Sequence, residues 1–293
     1  IIMKHLAKRD GTILEILGDA YAGTSTTKLR KMLKFANVTL DGEQVRMADT
    51  PVKTGQLINI EKQEKPSLNV KAPFRVIWQD QYIIVCDKPV GLITAGEGIT
   101  RRPTMHKLVD DYVKDATKGA QSAFPVHRLD KEVSGLVVFA KSEEIQEKLK
   151  ANWHQFSKKY IAITEKEPNP KKGTISTLLE ERGLKMFVAT TPGPNIKEAV
   201  TYYTYKERIG RYHMVEVELA TGKKNQIRVH LGHIGCPIVG DYKYGASNAF
   251  KRQIRLMATQ LYIKHPITGK DLAFKIEPST IFTHPKEKSE DYR

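Results

Sequence analysis

The sequence predicts an α+β fold in which a small α/β domain precedes a larger domain built on a mixed, mainly antiparallel sheet. In the C-terminal part, segments with strand character outnumber helical ones, and most of them follow one another directly. Residues 63–73 are polar, contain proline and lack periodicity, which indicates a linker. We therefore expect two domains, at residues 1–62 and 74–293.

The overall charge restricts the class of partner. The 293 residues include 48 Lys and Arg against 33 Asp and Glu, a formal net charge of +15. Such a surplus attracts polyanions, so nucleic acid is the first expectation and an anionic membrane surface the second. No run of about 18 apolar residues is present, so no segment is expected to span a bilayer. RNA is the expected partner, and a membrane is not. Cys86 and Cys236 suit a reducing cytoplasm and offer no disulfide framework.

The N-terminal part contains a basic helix followed by strands. Ser25 or Thr26 can cap this helix. Its apolar residues share one face at helical spacing: Leu29, Met32, Leu33 and Ala36. Its cations lie mostly off that face: Lys28, Arg30, Lys31 and Lys34. A short strand "VTL", a turn at Asp41-Gly42 and a strand "QLINIE" follow.

This arrangement resembles the S4 RNA-binding module over roughly residues 12–62. In that family the helix and the following strand and turn present basic groups to RNA. The resemblance implies that four residues contact RNA: Ser25, Lys28, Arg30 and Lys31. Thr26 and Ala36 depart from the family, which commonly has Arg and Gly at these positions. A solvated basic face without a ligand is the alternative.

The C-terminal part alternates strands with a few helices. β-Branched and aromatic residues indicate strands at "YIIVC", "GLVVFA", "YIAIT", "AVTYYTY" and "YHMVEVEL". Residues 104–119 and 142–159 are expected to be helical, the second capped by Ser142, with glutamates in its first turn and lysines in its last. Ile227, Val229 and Leu231 alternate as in a strand, but we assign this stretch to a short helix.

One segment, "FPVHRLDKEVSGLVVFAKS" (residues 124–142), places charged residues directly before a strongly apolar strand. Charges at the mouth of a buried strand are costly unless they are paired or used. Asp130 lies in this segment, so its carboxylate is predicted to be paired or to have a function.

Three segments together resemble the RluA-type RNA pseudouridine synthases: "HRLDKEVSGLVVFAKS", "KKYIAI" and "LATGKKNQIRVHLGHIGCPIVGDYKYG". "DKPVG" and "RLMATQLYIKHPITGK" also look like segments of that family, so the resemblance covers nearly all of residues 73–278. It implies an isomerase with the pseudouridine synthase fold that converts uridine in structured RNA to pseudouridine, without cofactor or metal. By resemblance the catalytic residues are Asp130, Tyr160 and Arg228.

The resemblance also implies a role for each residue. Arg228 is expected to pair with Asp130 and keep it ionised, because a nearby guanidinium favours a charged carboxylate. Tyr160 is expected to lie over the base and to take or relay its C5 proton. The target uridine must be extruded from its helix, and Arg128 is expected to fill the vacated space. Further RNA contacts are assigned to three residues: His127, Lys223 and Lys224.

Two segments depart from the family pattern. Lys223 and Asn225 stand where Arg and His are usual, and Met257 stands where His is usual. These departures bear on the target RNA and on the orientation of the segment that carries Arg228. They also keep open a second hypothesis, a non-catalytic RNA-binding or ribosome-assembly factor on the synthase scaffold.

Other chemistries have weaker support in the sequence. A glycosidase would need a second carboxylate, for which Glu132 is the nearby candidate. The histidines and cysteine of "HLGHIGC" fit no usual zinc pattern, and Ser134 lacks the glycine pattern of a nucleophile elbow. The expected substrate is ribosomal RNA, with transfer RNA second, and the protein is expected to be a cytoplasmic monomer.

Overall fold

The computed structural model describes residues 2–35, 37–45, 47–61, 71–96, 103–247 and 254–284. The chain divides into two compact units, Ile1–Ser67 and Leu68–Arg293. Most of the expected linker, residues 63–70, lies outside the described residues. No helix within the described ranges has the length and apolar character needed to cross a bilayer.

The N-terminal unit combines a four-stranded antiparallel sheet with two helices. Its elements are β1 (Ile2–Leu6), β2 (Gly11–Thr12), α1 (Ile13–Ala20), α2 (Thr26–Phe35), β3 (Asn37–Leu40), β4 (Glu43–Gln44), β5 (Pro51–Val52) and β6 (Leu57–Glu61). The sheet has the order β1-β6-β3-β4, and β2 pairs with β5 separately. The basic helix expected after Ser25 is confirmed as α2.

The apolar face of α2 packs into a small core. Leu29 and Leu33 are buried there with Leu17 of α1 and with Ile58 and Ile60 of β6. The cationic face is solvated, since Ser25, Lys28 and Arg30 are all exposed. The Lys31 and Lys34 side chains and the whole of Ala36 lie outside the described residues.

The C-terminal unit is built on one large sheet. Its strands are β7 (Arg75–Gln79), β8 (Ile83–Lys88), β9 (Phe124–Pro125), β10 (Ser134–Ala140), β11 (Ser157–Thr164), β12 (Lys172–Arg182), β13 (Lys185–Ala189), β14 (Lys197–Ile209), β15 (Tyr212–Leu219), β16 (Leu256–Lys264) and β17 (Asp271–Lys275). Its helices are α3 (Met105–Thr117), α4 (Glu143–Asn152), α5 (Gln226–His233) and α6 (Thr280–Thr283). The five segments expected to be strands, and the short helix at α5, are all confirmed.

The sheet has the order β13-β12-β14-β15-β11-β16-β10-β8-β7, with β17 beside β16 and β9 beside β10. In the described residues, the only parallel pair among these strands is β10 with β16. The predicted mixed, mainly antiparallel sheet is therefore confirmed.

The central strands are buried on both faces, with side chains alternating between two cores. Val137 and Phe139 of β10 face the core that contains α3 and α5, together with Tyr160. Leu136 and Val138 face the opposite core, which contains α4. Because successive strand residues point to opposite faces, a continuous apolar run such as "GLVVFA" supplies both cores.

The helix expected at residues 142–159 is shorter than the sequence indicates. Ser142 caps α4 through a hydrogen bond from Ile145 N at 3.3 Å, as expected. The helix nevertheless ends at Asn152, a single 3₁₀ turn follows, and β11 begins at Ser157. Hydrogen bonding of β11 to β15 and β16, both distant in sequence, overrides the local helical pattern.

Gly135 sits where the β10 and β16 backbones approach each other most closely. It pairs with Ala258, and a Cβ atom on Gly135 would lie 2.2 Å from the Ala258 carbonyl oxygen. Its φ of +114° is also a conformation that side-chain-bearing residues avoid. Glycine is thus required at the start of β10 by a backbone contact as well as by backbone conformation.

The substitution Gly135→Ala is expected to lower the free energy of unfolding by about 3 kcal/mol, through steric conflict and backbone strain together. Urea denaturation followed by circular dichroism measures this loss. Gly210→Ala is the matched control, because Gly210 has a φ of +59° but no described atom lies within 4 Å of where its Cβ would be. It should cost about 1 kcal/mol. Equal losses in the two variants would contradict the steric explanation.

Candidate active site

The loop that carries Asp130 is held by hydrogen bonds from the segment after β8. Thr94 Oγ1 accepts a hydrogen bond from Leu129 N at 3.1 Å and donates one to Leu129 O at 2.7 Å. Gly91 N donates to Lys131 O at 2.7 Å. Asp130 is therefore flanked on both sides by residues whose backbone is fixed, which limits the positions that its carboxylate can take.

Lys88, the last residue of β8, supports the same loop from inside the protein. Its side chain is fully buried, and Nζ donates to the carbonyls of Leu92 at 2.8 Å, Pro89 at 3.0 Å and Lys131 at 3.5 Å. Burial lowers the pKa of Lys88 to about 8, although the charge of Asp130 opposes this shift. At neutral pH Lys88 is thus mainly charged and adds positive potential to the site. The "DKPVG" segment carried this residue, but sequence reasoning gave it no role.

Arg228 of α5 reaches Asp130 from a segment distant in sequence. Its Nη1 lies 3.1 Å from Asp130 Oδ2. The guanidinium also makes two hydrogen bonds to Asp241, Nε to Oδ2 at 2.7 Å and Nη2 to Oδ1 at 2.9 Å. The Arg228 side chain is 7% exposed and that of Asp130 is 27% exposed. The carboxylate is therefore held by a buried cation and still open to a substrate.

Asp241 is what allows Arg228 to remain charged inside the protein. Burial lowers the pKa of Arg228, but the hydrogen bonds and charges of Asp241 and Asp130 more than offset this and raise it above its usual value. The bidentate hydrogen bonding to Asp241 fixes the plane of the guanidinium and directs Nη1 at Asp130. Asp241 thus determines where the cation points.

Besides Asp241, two residues near Asp130 were not predicted from the sequence to belong to the site: Asn225 and Tyr244. Asn225 Nδ2 donates to Asp130 Oδ2 at 2.5 Å, and the Tyr244 hydroxyl donates to Asn225 Oδ1 at 3.0 Å. The signal for Asp241 and Tyr244 was the polar segment "GDYKYG" directly after the apolar run "PIV". Asn225 was noted only as a departure from the family pattern.

Tyr160 lies on β11 within the core on the α5 side of the sheet. Burial, with a smaller contribution from the charge of Asp130, raises the pKa of its phenol well above the usual value. A phenol held neutral is a poor proton acceptor at neutral pH. The raised pKa thus disfavours proton acceptance by Tyr160 and leaves contact with the base as the role to test.

The structure gives His127 a packing role that the sequence did not predict. Its ring stacks on Trp153 with centroids 4.4 Å apart, and Nε2 accepts a hydrogen bond from Val138 N at 3.1 Å. Burial, with the charge of Lys158 adding to it, lowers the pKa of His127 to about 3, so the ring is neutral. These contacts bind the loop to β10 and engage Nε2, so this nitrogen is not available as the base of a hydrolase triad.

The other expected RNA-binding residues differ in availability. Arg128 is exposed and has no ion pair among the described residues. Lys224 forms an ion pair with Glu181, while Lys223 donates its backbone N–H to Gln226 Oε1 at 2.9 Å and keeps its side chain partly exposed. Arg128 is therefore an exposed cation close in sequence to Asp130, as is Lys131.

The departures from the family pattern leave the site intact. Asn225 retains a hydrogen-bond donor to Asp130. Met257 is buried in the core on the α4 face, whereas its neighbour Ala258 lies in the core with Tyr160. The residue that replaces a histidine thus points to the other side of the sheet, away from the α5 face.

The first histidine of "HLGHIGC", His230, is engaged by two threonine hydroxyls. His230 hydrogen-bonds Thr201 Oγ1 through Nδ1 at 2.8 Å and Thr177 Oγ1 through Nε2 at 2.9 Å. Across the described parts of the chain, no group of three metal-ligating side chains comes together. His230 instead connects α5, which carries Arg228, to β12 and β14.

Comparison with known proteins agrees with this fold. Residues 82–233 match the family described as RNA pseudouridylate synthase. An uncharacterized RNA pseudouridine synthase of Aquifex aeolicus (strain VF5) is 30% identical over 289 residues, which cover 92% of this chain and 90% of the relative. Ribosomal large subunit pseudouridine synthase D of Xylella fastidiosa (strain Temecula1) is 31% identical over 278 residues, covering 86% and 81%.

Solved structures give the same result. Human RNA pseudouridylate synthase domain containing 4 superposes with a TM-score of 0.60 at 26% identity, over 72% of this chain and 90% of that chain. The fold and these matches together define an enzyme that acts on uridine in RNA. The chain belongs to the RNA pseudouridylate synthase family. Its activity is the isomerisation of uridine to pseudouridine in RNA.

His230 is expected to make the fold sensitive to acid. Burial, together with the nearby charge of His233, lowers the pKa of His230 to about 4, below the value of 6.5 for a free side chain. Between pH 6.5 and 4 the unfolded state therefore binds the proton and the folded state does not. The free energy of unfolding should fall by up to about 3 kcal/mol as the pH drops through this window.

Urea denaturation of the wild type and of His230→Gln at several pH values measures this contribution. The variant should lose less stability on acidification, because it has no imidazole at position 230 to protonate. His127 and the carboxyl groups are common to both proteins and cancel in the comparison. The same pH slope in both proteins would show that His230 does not carry the effect.

Proposed function

We propose that Asp130 is the catalytic residue of this pseudouridine synthase and that Arg228 holds it ionised and in place. The contact of 3.1 Å between Arg228 Nη1 and Asp130 Oδ2 is the observation that carries the proposal. A buried guanidinium favours the charged carboxylate, and the partial exposure of Asp130 lets that charge reach a nucleotide. The reaction breaks the N1–C1′ bond and forms a C5–C1′ bond, while C5 loses a proton and N1 gains one.

Binding of the target uridine requires that it leave its helix. Extrusion of a base costs a few kcal/mol, which protein contacts to the phosphates and to the vacated space offset. Arg128 precedes Asp130 by two residues and is exposed, which supports its assignment to the vacated space. The phenol of Tyr160 is neutral, and the charge of Asp130 contributes to its raised pKa. The ring is therefore suited to lie against the extruded uracil.

Ribosomal RNA is the substrate that we propose for this site, with the enzyme acting in the cytoplasm. Several relatives are named as ribosomal large subunit pseudouridine synthases, including those of Xylella fastidiosa and Pseudomonas aeruginosa. The net charge of +15 suits a large polyanion. We also propose that the N-terminal unit is an S4-like RNA-binding domain, a proposal supported by the exposed cations Lys28 and Arg30 on α2.

Replacing the catalytic carboxylate tests the first proposal. Asp130→Asn should slow pseudouridine formation by about 10³-fold or more, because an uncharged amide cannot act on the sugar. Its affinity for RNA should change little. The rate is measured as tritium release from RNA that contains C5-tritiated uridine, and the affinity by filter binding.

Glu132→Gln is the matched control, since Glu132 is a nearby carboxylate that lies 4.0 Å from Arg228 Nη1. It should retain activity to within about threefold, as expected of a weak, partly exposed ion pair. Normal turnover by Asp130→Asn would refute the assignment. Loss of turnover in both Asp130→Asn and Glu132→Gln would favour the two-carboxylate chemistry of a glycosidase.

Mapping of pseudouridines in cellular RNA tests the substrate. Cells that lack this chain should lose specific pseudouridines in ribosomal RNA, and expression of the wild type should restore them. The double substitution Lys28→Glu/Arg30→Glu should restore them only partly, because it reverses charge on the exposed face of α2. Losses confined to transfer RNA would contradict the proposed substrate, and full restoration by the double variant would contradict the role of α2.

A further inference from the structure

The hydrogen bonds to Asp130 are divided unequally between its two carboxylate oxygens. Oδ2 accepts one from Arg228 Nη1 at 3.1 Å and one from Asn225 Nδ2 at 2.5 Å. Within the described part of the chain, no hydrogen bond or ion pair reaches Oδ1. The two oxygens are therefore chemically different before any substrate binds.

Two neighbours determine which end of the Asn225 amide faces Asp130. The Tyr244 oxygen accepts a hydrogen bond from Met186 N at 3.1 Å, so its own proton is available for Asn225 Oδ1 at 3.0 Å. An ionised carboxylate only accepts hydrogen bonds, which also requires the NH₂ group on the Asp130 side. The backbone of β13 and the charge of Asp130 thus select the same amide orientation.

The backbone at Asn225 holds the amide at the start of α5. Its φ of +51° lies in the left-handed region, which asparagine, aspartate and histidine enter more readily than most other residues. The Tyr244 ring that orients the amide lies under the Arg228 guanidinium, with 5.2 Å between the Arg228 carbon and the ring centroid. Asn225, Arg228 and Tyr244 therefore support one another as a single unit around Oδ2.

We propose that Asn225 is a positioning residue which, together with Arg228, holds Asp130 through Oδ2 and presents Oδ1 as the oxygen that acts on the nucleoside. The proposal rests on the catalytic role of Asp130. Two donors on one oxygen prevent rotation of the carboxylate and keep the lone pairs of Oδ1 unengaged. Orientation of the reacting group is thus set before the uridine enters.

Removal of the amide should reduce the chemical step and leave RNA binding unchanged. Asn225→Gly deletes the donor and accommodates a positive φ without strain. The single-turnover rate on tritiated RNA should fall by about 10–100-fold, while the dissociation constant for RNA stays within about twofold, as for other supporting contacts to a catalytic group. Circular dichroism verifies that the variant is folded.

Two further substitutions separate the donor from the shape of the side chain. Asn225→Asp keeps the shape but replaces the donor with a second negative charge beside Asp130, so it should be at least as slow as Asn225→Gly. Asn225→His restores an N–H donor in a residue that tolerates this backbone conformation, and its rate should lie within about tenfold of the wild type. Tyr244→Phe should be intermediate, because the amide loses the hydroxyl that orients it.

The ranking of these rates decides the proposal. A wild-type rate in Asn225→Gly, or equal rates in Asn225→Asp and Asn225→His, would overturn the role of Asn225. The comparison of Asn225→Asp with Asn225→His tests the proposal even if Asn225→Gly does not fold. Asp130→Asn is measured in the same assay: if it is inactive while Asn225→Gly has normal activity, only the role of Asn225 fails, and if Asp130→Asn is active, the proposed catalytic residue fails instead.

Discussion

The sharing of the Arg228 guanidinium between Asp241 and Asp130 is the interaction on which the rest of the site depends. A cation buried to this extent is stable only when its charge and its donors are matched. Asp241, itself almost fully buried, supplies a negative charge and accepts two hydrogen bonds from the guanidinium, which fixes the orientation of the guanidinium plane. Nη1, which Asp241 does not contact, donates to Asp130, which is partly exposed. The carboxylate of Asp130, the proposed catalytic group, is thus the most exposed of the three charged groups.

The large sheet and the helices packed on it fix the positions of Arg228 and Asp130. Ile227 and Leu231 of α5 are buried in the core, and this packing fixes the helix that carries Arg228. His230 connects the helix to two strands through threonine hydroxyls. Asp130 lies just before the tight approach of β10 to β16, where Gly135 admits the Ala258 backbone. Packing on both sides of the sheet therefore sets the distance between the two charged groups.

The departures from the family pattern are explained by what each side chain contacts. Asn225 keeps a donor at Asp130 although it replaces the usual histidine, and Met257 fills the core on the opposite face. Neither change removes a charge from the site. A non-catalytic scaffold would have no physical need to bury Arg228 against two carboxylates, since such an arrangement is costly unless it is used.

Local patterns along the chain were enough to predict the five strands of the large sheet, the basic helix α2, the cap at Ser142 and the family, because periodicity, capping residues and contiguous motifs all lie within short segments. The pairing of Arg228 with Asp130 was predicted from the family resemblance and not from periodicity. Three features required the folded chain: α4 ends at Asn152, His127 packs on Trp153, and Asp241 and Asn225 contact the groups of the site. Each of these depends on a partner brought close by the sheet, and local sequence carries no measure of that distance.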